Sequence, residues 1–155
     1  MSDQLTIASD SPLRTREIGS IIGAALTRGD VVVLSGELGA GKTTLTQGIA
    51  RGLGIVDHVT SPTFVVAREM PPGGLGIPLL HVDAYRIASI QEWDDLDMDL
   101  DGNASVVEWG EQVADGLPSD RVTVQLHGSD DSREISLKAT GPRSDRVLAA
   151  VREAL

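Results

Sequence analysis

At 155 residues with a net charge of −10, the chain has the size of one domain, expected to span 1–155 and to bury roughly two thirds of the surface it would expose unfolded, and its overall field repels nucleic acid rather than attracting it. A hydrophobic content of 41 % with only 3 % aromatics indicates a globular protein whose core is mostly aliphatic. The lack of cysteine excludes disulfides, zinc-thiolate centres and thiol catalysis; no apolar run approaches the ~20 residues of a membrane span, and MSDQLTIASDSPL lacks a secretory leader, so a cytoplasmic protein away from membranes is expected.

In chain order, Thr15 to Thr27 carries Ile18, Ile21, Ile22 and Leu26 at helical spacing and is stopped by Arg28-Gly29-Asp30. Val31-Val32-Val33-Leu34 is a short apolar run of the kind found in strands buried on both faces. A glycine-rich stretch follows, then a helix over Thr43 to Gly52 closed by Gly52 and Gly54. Thr63 to Arg68 reads as a strand, PPGGLGIP at 71–78 as a connecting loop, and Leu79 to Asp83 as an apolar strand ending in a carboxylate. Ser89 and Glu92 form a capping box for a helix through about Leu96. Ala104 to Trp109 is a further strand, Arg121–Leu126 and Glu134–Lys138 a hairpin across HGSDDSR, and Ser144 to Leu155 an amphipathic helix. Apolar strands alternating with helices, followed by a hairpin, predict an α/β fold: a P-loop-like, mostly parallel sheet with helices on both faces and an antiparallel C-terminal hairpin.

The stretch between the first apolar strand and its helix, GELGAGKTT at 36–44, satisfies G-x4-G-K-[ST] at every fixed position. Glycines let the backbone curl so that successive N–H groups face a phosphate, and the helix adds its positive N-terminus. Glu37, Leu38, Gly39, Ala40, Gly41, Lys42, Thr43 and Thr44 are therefore expected around the phosphates of a nucleotide, with Lys42 reaching the β- and γ-phosphates and the Thr43 hydroxyl on Mg²⁺. Lys42 and Lys138 are the only lysines among 13 basic residues. Two strand-end acids, Asp83 and Glu108, are candidates to hold or order the metal. The only asparagine, Asn103, is followed by Ala-Ser-Val, so the N-K-x-D guanine signature is missing and ATP is the expected nucleotide.

Taken together, GELGAGKTT (36–44), SPTF (61–64), HVDAYR (81–86) and VEW (107–109), in this order and spacing, resemble the TsaE family, small P-loop ATPases of bacterial tRNA threonylcarbamoyladenosine biosynthesis. The resemblance covers most of the chain from about 15 to 135. It implies an ATP- and Mg²⁺-dependent ATPase acting with the TsaD and TsaB proteins, which place a threonylcarbamoyl group on the adenosine beside the anticodon of certain tRNAs. The tRNA would be met indirectly, through that complex, in keeping with the acidic charge. The resemblance further implies Thr43 and Glu108 as Mg²⁺ ligands, Asp83 beside the metal and γ-phosphate as a Walker-type acid or a residue ordering the attacking water, Thr15 in T-x-x-x-G near the nucleotide base, and Arg133 as a nucleotide contact; Lys42 and Asp83 are the catalytic candidates. Ser61-Pro62-Thr63 stands where P-loop proteins often sense the γ-phosphate.

Two other readings compete. A small-metabolite kinase of the P-loop class would usually close arginines over the phosphates; Arg68 and Arg86 are single and separated, and 71–78 has no basic residue. A calcium reading comes from DMDLDGNASVVE at 97–108, which matches D-x-[DN]-x-[DN]-G-x5-E. Its eighth residue is Ala104, no second such loop exists, and SVVEW reads as strand, so calcium binding is not expected and the aspartates are taken as a solvated acidic run. His58, His81 and His127 show no metal-ligand spacing and are read as structural or surface residues, while Trp109 is left between core and partner-facing roles.

Overall fold

The computed structural model describes residues 4–36, 41–56, 67–84, 87, 89–129 and 132–155. Among the described residues the elements run β1 (Gln4–Ser9), α1 (Pro12–Ala25), β2 (Val31–Gly36), α2 (Lys42–Gly52), β3 (Ala67–Met70), β4 (Leu79–Asp83), α3 (Ile90–Asp95), β5 (Ala104–Glu108), a 3₁₀ helix (Gly110–Gly116), β6 (Val122–Ser129), β7 (Ser132–Ala139) and α4 (Pro142–Ala154). The strands form one seven-stranded sheet in the order β1-β7-β6-β2-β5-β4-β3. Its centre, β6-β2-β5-β4, is parallel, while β3 and the β7-β1 flank run antiparallel to their neighbours. The predicted architecture is the observed one.

Each face of the sheet buries its own apolar layer. Val32, Leu34, Val106, Val124, Leu126 and Ile135 lie under α1, α2 and α4, which contribute Ile18, Ile22, Leu45, Ile49, Val147 and Val151. The alternate residues Val31, Val33, Leu80, Val82 and Val107 lie under Trp93 of α3, Ile87, and Val113 and Leu117 of the 3₁₀ region. Strands buried on both faces explain the unbroken Val/Leu runs.

Several boundaries differ from the sequence expectation. Helix α1 begins three residues before Thr15, because the Ser11 hydroxyl accepts the Arg14 N–H at 3.1 Å and Pro12 supplies the preset φ of a first turn. The strand expected at 63–68 is described only from Ala67 and continues to Met70; residues 63–66 lie outside the described region. The hairpin strands are longer than predicted, pairing out to Ser129 and Ser132, so Arg133 belongs to a strand rather than to a turn. Strand β1 was not foreseen. Its alternation is real but weak, Ile7 and Ser9 inward with Thr6 and Ala8 outward, and only pairing with β7 reveals it.

Candidate functional site

Four parallel strands terminate on one side of the sheet, where ligands of open α/β folds bind. Gly36 closes β2, Glu108 closes β5 and Asp83 closes β4, with Asp83 paired to Glu108 and Glu108 to Leu34 in the ladder. Helix α2 opens on the same side. Gly41, its N-cap, stands at φ 103°, a conformation that side-chain-bearing residues resist, and a Cβ there would lie 2.9 Å from Arg133 Nε. The next residue, Lys42, is buried; its ammonium donates to the Gly36 carbonyl at 2.7 Å and sits 3.7 Å from the centroid of the Trp109 ring. Thr43 and Thr44 follow in the first turn of α2, both half-buried, beside the positive end of the helix dipole.

The two acids differ in setting. Asp83 is half-buried, whereas Glu108 is only 5 % exposed and its Oε2 lies 2.6 Å from Nε2 of His81, which is fully buried. His81 and Asp83 are two apart on β4, so both project to the α2 face, as does Glu108 two residues after Val106, the ladder partner of His81. Among the described residues no three His, Asp or Glu side chains gather into a cation cage.

On the other flank, Arg133 of β7 pairs with Gly128 of β6 and Ser9 of β1 and reaches Gly41 along the α2 face. Thr15 is buried at the start of α1, its hydroxyl 2.8 Å from that of Ser9 and donating to the Ser11 carbonyl at 3.2 Å. Thr15 and Arg133, far apart in sequence, thus meet through Ser9 at the same corner of the sheet. Glu37, Leu38, Gly39 and Ala40 lie outside the described residues, as do Ser61, Pro62 and Thr63.

Two features escaped sequence reading. The pairing of His81 with Glu108 spans 27 positions and depends on the β4–β5 register, and the approach of Trp109 to Lys42 depends on the turn after β5, where Trp109 adopts φ 60°. The only sequence signal for the first is a histidine placed two before the Asp of an otherwise apolar strand. The segment 97–108 folds as the sequence argument anticipated: the Asp99 carboxylate accepts the Gly102 N–H at 3.0 Å in a turn, and Ala104–Glu108 is a buried strand instead of the start of an exiting helix.

Fold and site together define a P-loop-type α/β protein, with the phosphate-loop motif between a buried central strand and its helix. The family model for the threonylcarbamoyl adenosine biosynthesis protein TsaE matches residues 9–135. The tRNA threonylcarbamoyladenosine biosynthesis protein TsaE of Streptomyces coelicolor is 46 % identical over 136 residues, 83 % of this chain and 92 % of the relative, and that of Bacillus subtilis is 40 % identical over 146 residues, 93 % and 91 %. The crystal structure of Bacillus subtilis YdiB superposes with a TM-score of 0.83 at 33 % identity, covering 99 % of this chain and 97 % of that one. The chain belongs to the TsaE family of threonylcarbamoyladenosine biosynthesis. Among the described residues no helix is long and apolar enough to cross a membrane.

Proposed function

We propose that this protein binds ATP with Mg²⁺ and hydrolyses it, and that hydrolysis supports threonylcarbamoylation of the tRNA adenosine beside the anticodon, with TsaD and TsaB as partners. The observation that carries the reading is the convergence of Gly41 and Lys42 at the start of α2 with Asp83 and Glu108 at the adjacent strand ends. The donor set suits the group it would hold: the Thr43 hydroxyl and the Glu108 carboxylate are hard oxygen ligands of the kind Mg²⁺ takes, and that ion usually needs only one or two protein ligands beside phosphate oxygens.

In this reading the backbone of Glu37 to Gly41 wraps the phosphates, and Lys42 exchanges its carbonyl partner for the β- and γ-phosphate oxygens. Thr43 and Glu108 would hold Mg²⁺, which would supply positive charge against that growing on the phosphates. Asp83, one strand over, orders the attacking water and accepts its proton as the oxygen closes on phosphorus. Thr44 completes the first turn of α2. Arg133 contacts the nucleotide from the β7 side, and Thr15 anchors β1 to α1 beneath that contact, shaping the wall nearest the base. With its net charge of −10 the chain would rely on its partners to hold tRNA.

Purified protein is expected to convert ATP to ADP in the presence of Mg²⁺. Lys42→Ala and Glu108→Gln should each lower that rate by roughly 100-fold or more while leaving the circular-dichroism spectrum unchanged. Turnover equal to wild type in both variants would contradict the proposal.

A further inference from the structure

We infer that His81 is a positioning residue, which fixes the rotamer of Glu108 so that one carboxylate oxygen is held and the other is presented to the metal. The inference rests on the role of Glu108 proposed above. Three observations carry it. His81 is fully buried among aliphatic neighbours of the α2 face, such as Leu79, Val106 and Ala104, where a leucine or valine would serve packing equally well. Its side chain's one hydrogen bond among the described residues is to Glu108 Oε2, at the short distance of 2.6 Å. Its Nδ1 meets no partner among the described residues, so the ring is engaged through Nε2 alone, on the Glu108 carboxylate.

The consequence is a division of labour between the two oxygens of Glu108. Oε2 is tied to a fully buried imidazole, and the β4–β5 ladder holds the backbone of both residues in register, His81 opposite Val106 and Glu108 opposite Asp83. Oε1 is left as the coordinating atom, at a strand end beside Asp83. A carboxylate free to rotate would have to be ordered each time a cation bound; one held from behind is ordered beforehand, and partners of this kind typically change metal affinity by about 10- to 100-fold.

Calorimetric titration of the full chain with ATP, with Mg²⁺ and again in chelator, tests this without reference to turnover. The ratio of the two affinities measures the metal contribution. His81→Leu should reduce that ratio by about 10- to 100-fold with metal-free ATP affinity held within about twofold, and His81→Gln, whose Nε2 can stand where the imidazole donor stood, should recover most of it. If the leucine variant does not fold, the comparison passes to His81→Gln against the shorter His81→Asn: a ratio kept by glutamine and lost by asparagine supports the inference, and equal ratios overturn it. A His81→Leu protein with the wild-type ratio, or one that loses metal-free affinity in the same proportion, overturns the inference alone. A wild-type protein whose ATP affinity ignores Mg²⁺ overturns the assignment of Glu108 and the inference with it.

Discussion

Lys42 holds its charge in a buried position between a backbone carbonyl and the face of an indole. The indole belongs to Trp109, whose left-handed backbone costs about 1 kcal/mol and is retained by the bond from its N–H to the Leu34 carbonyl at 3.1 Å. A cation over an aromatic face contributes about 0.5–2 kcal/mol, so the contact is comparable with the strain that creates it. Because Trp93 is buried under the opposite face of the sheet, the two tryptophans report on different places. In a Trp93→Phe variant, the emission of Trp109 should change on adding Mg²⁺ and ATP, and in Trp109→Phe the remaining signal should stay constant. An unresponsive Trp93→Phe protein would separate Trp109 from the nucleotide site. At this scale the sequence was readable where chemistry is local. The phosphate loop declares itself because nine consecutive residues carry it, and Asp83 and Glu108 stand out as acids ending apolar runs. His81 did not, since its meaning is given by a carboxylate on another strand, and no spacing rule along the chain points to it.

Helices α1 and α2 touch backbone to backbone. A Cβ on Gly19 would lie 2.4 Å from the Leu45 carbonyl oxygen, one on Gly23 2.1 Å from that of Ile49, one on Gly48 2.3 Å from that of Arg16, and one on Gly52 2.1 Å from that of Ser20. Each glycine costs its helix about 1 kcal/mol in propensity, and the close approach that results locks α1 against the helix whose first turn carries Lys42 and Thr43. Gly23→Ala should therefore destabilise by about 1–3 kcal/mol, lowering the melting temperature by roughly 2–4 °C per kcal/mol; an unchanged melting curve would show that the helices can part freely. Read in one dimension, Gly52 looked like an end signal and Gly19, Gly23 and Gly48 carried no message, because the partner that makes them necessary lies on the other helix.

Helix α4 shows the same dependence on a remote group. Gly141 at its N-cap has no side chain, and Asp120 takes over, accepting the Arg143 and Ser144 N–H groups at 2.8 and 2.9 Å and the Ser144 hydroxyl at 2.6 Å. Desolvation at this half-buried site pushes the Asp120 pKa up, but the Ser144 and Arg143 hydrogen bonds and the Arg143 charge outweigh it, leaving the carboxyl below its ordinary value. A lowered folded-state pKa means stability that is present above the unfolded value near 3.9 and lost as the pH falls through the folded one. Asp120→Asn should thus melt below wild type at pH 7, by the equivalent of about 1 kcal/mol, with the gap closing as the pH falls below about 4. A gap independent of pH would contradict the charge-based part of this account.

Over the whole molecule, the parallel centre of the sheet brings every described site candidate to one side: Lys42, Thr43, Asp83 and Glu108 around the strand ends, with Arg133 and, through Ser9, Thr15 at the β7–β1 flank. The class of fold was legible because apolar strands alternating with helices have few other solutions. The order of the strands was not, nor was β1, since edge pairing leaves almost no mark on a six-residue polar-apolar stretch. Membership in the TsaE family sets this sheet in tRNA modification, and the net charge of −10 accords with the proposal that tRNA is held by partners. The most direct test of the central claim is multiple-turnover threonylcarbamoylation of tRNA by purified TsaD and TsaB supplied with the threonylcarbamoyl donor, followed with and without this protein and ATP. The account predicts that modification stops near one turnover without the protein, continues when it and ATP are both present, and stops again with Lys42→Ala; turnover that is indifferent to the protein, or sustained equally by Lys42→Ala, would contradict it.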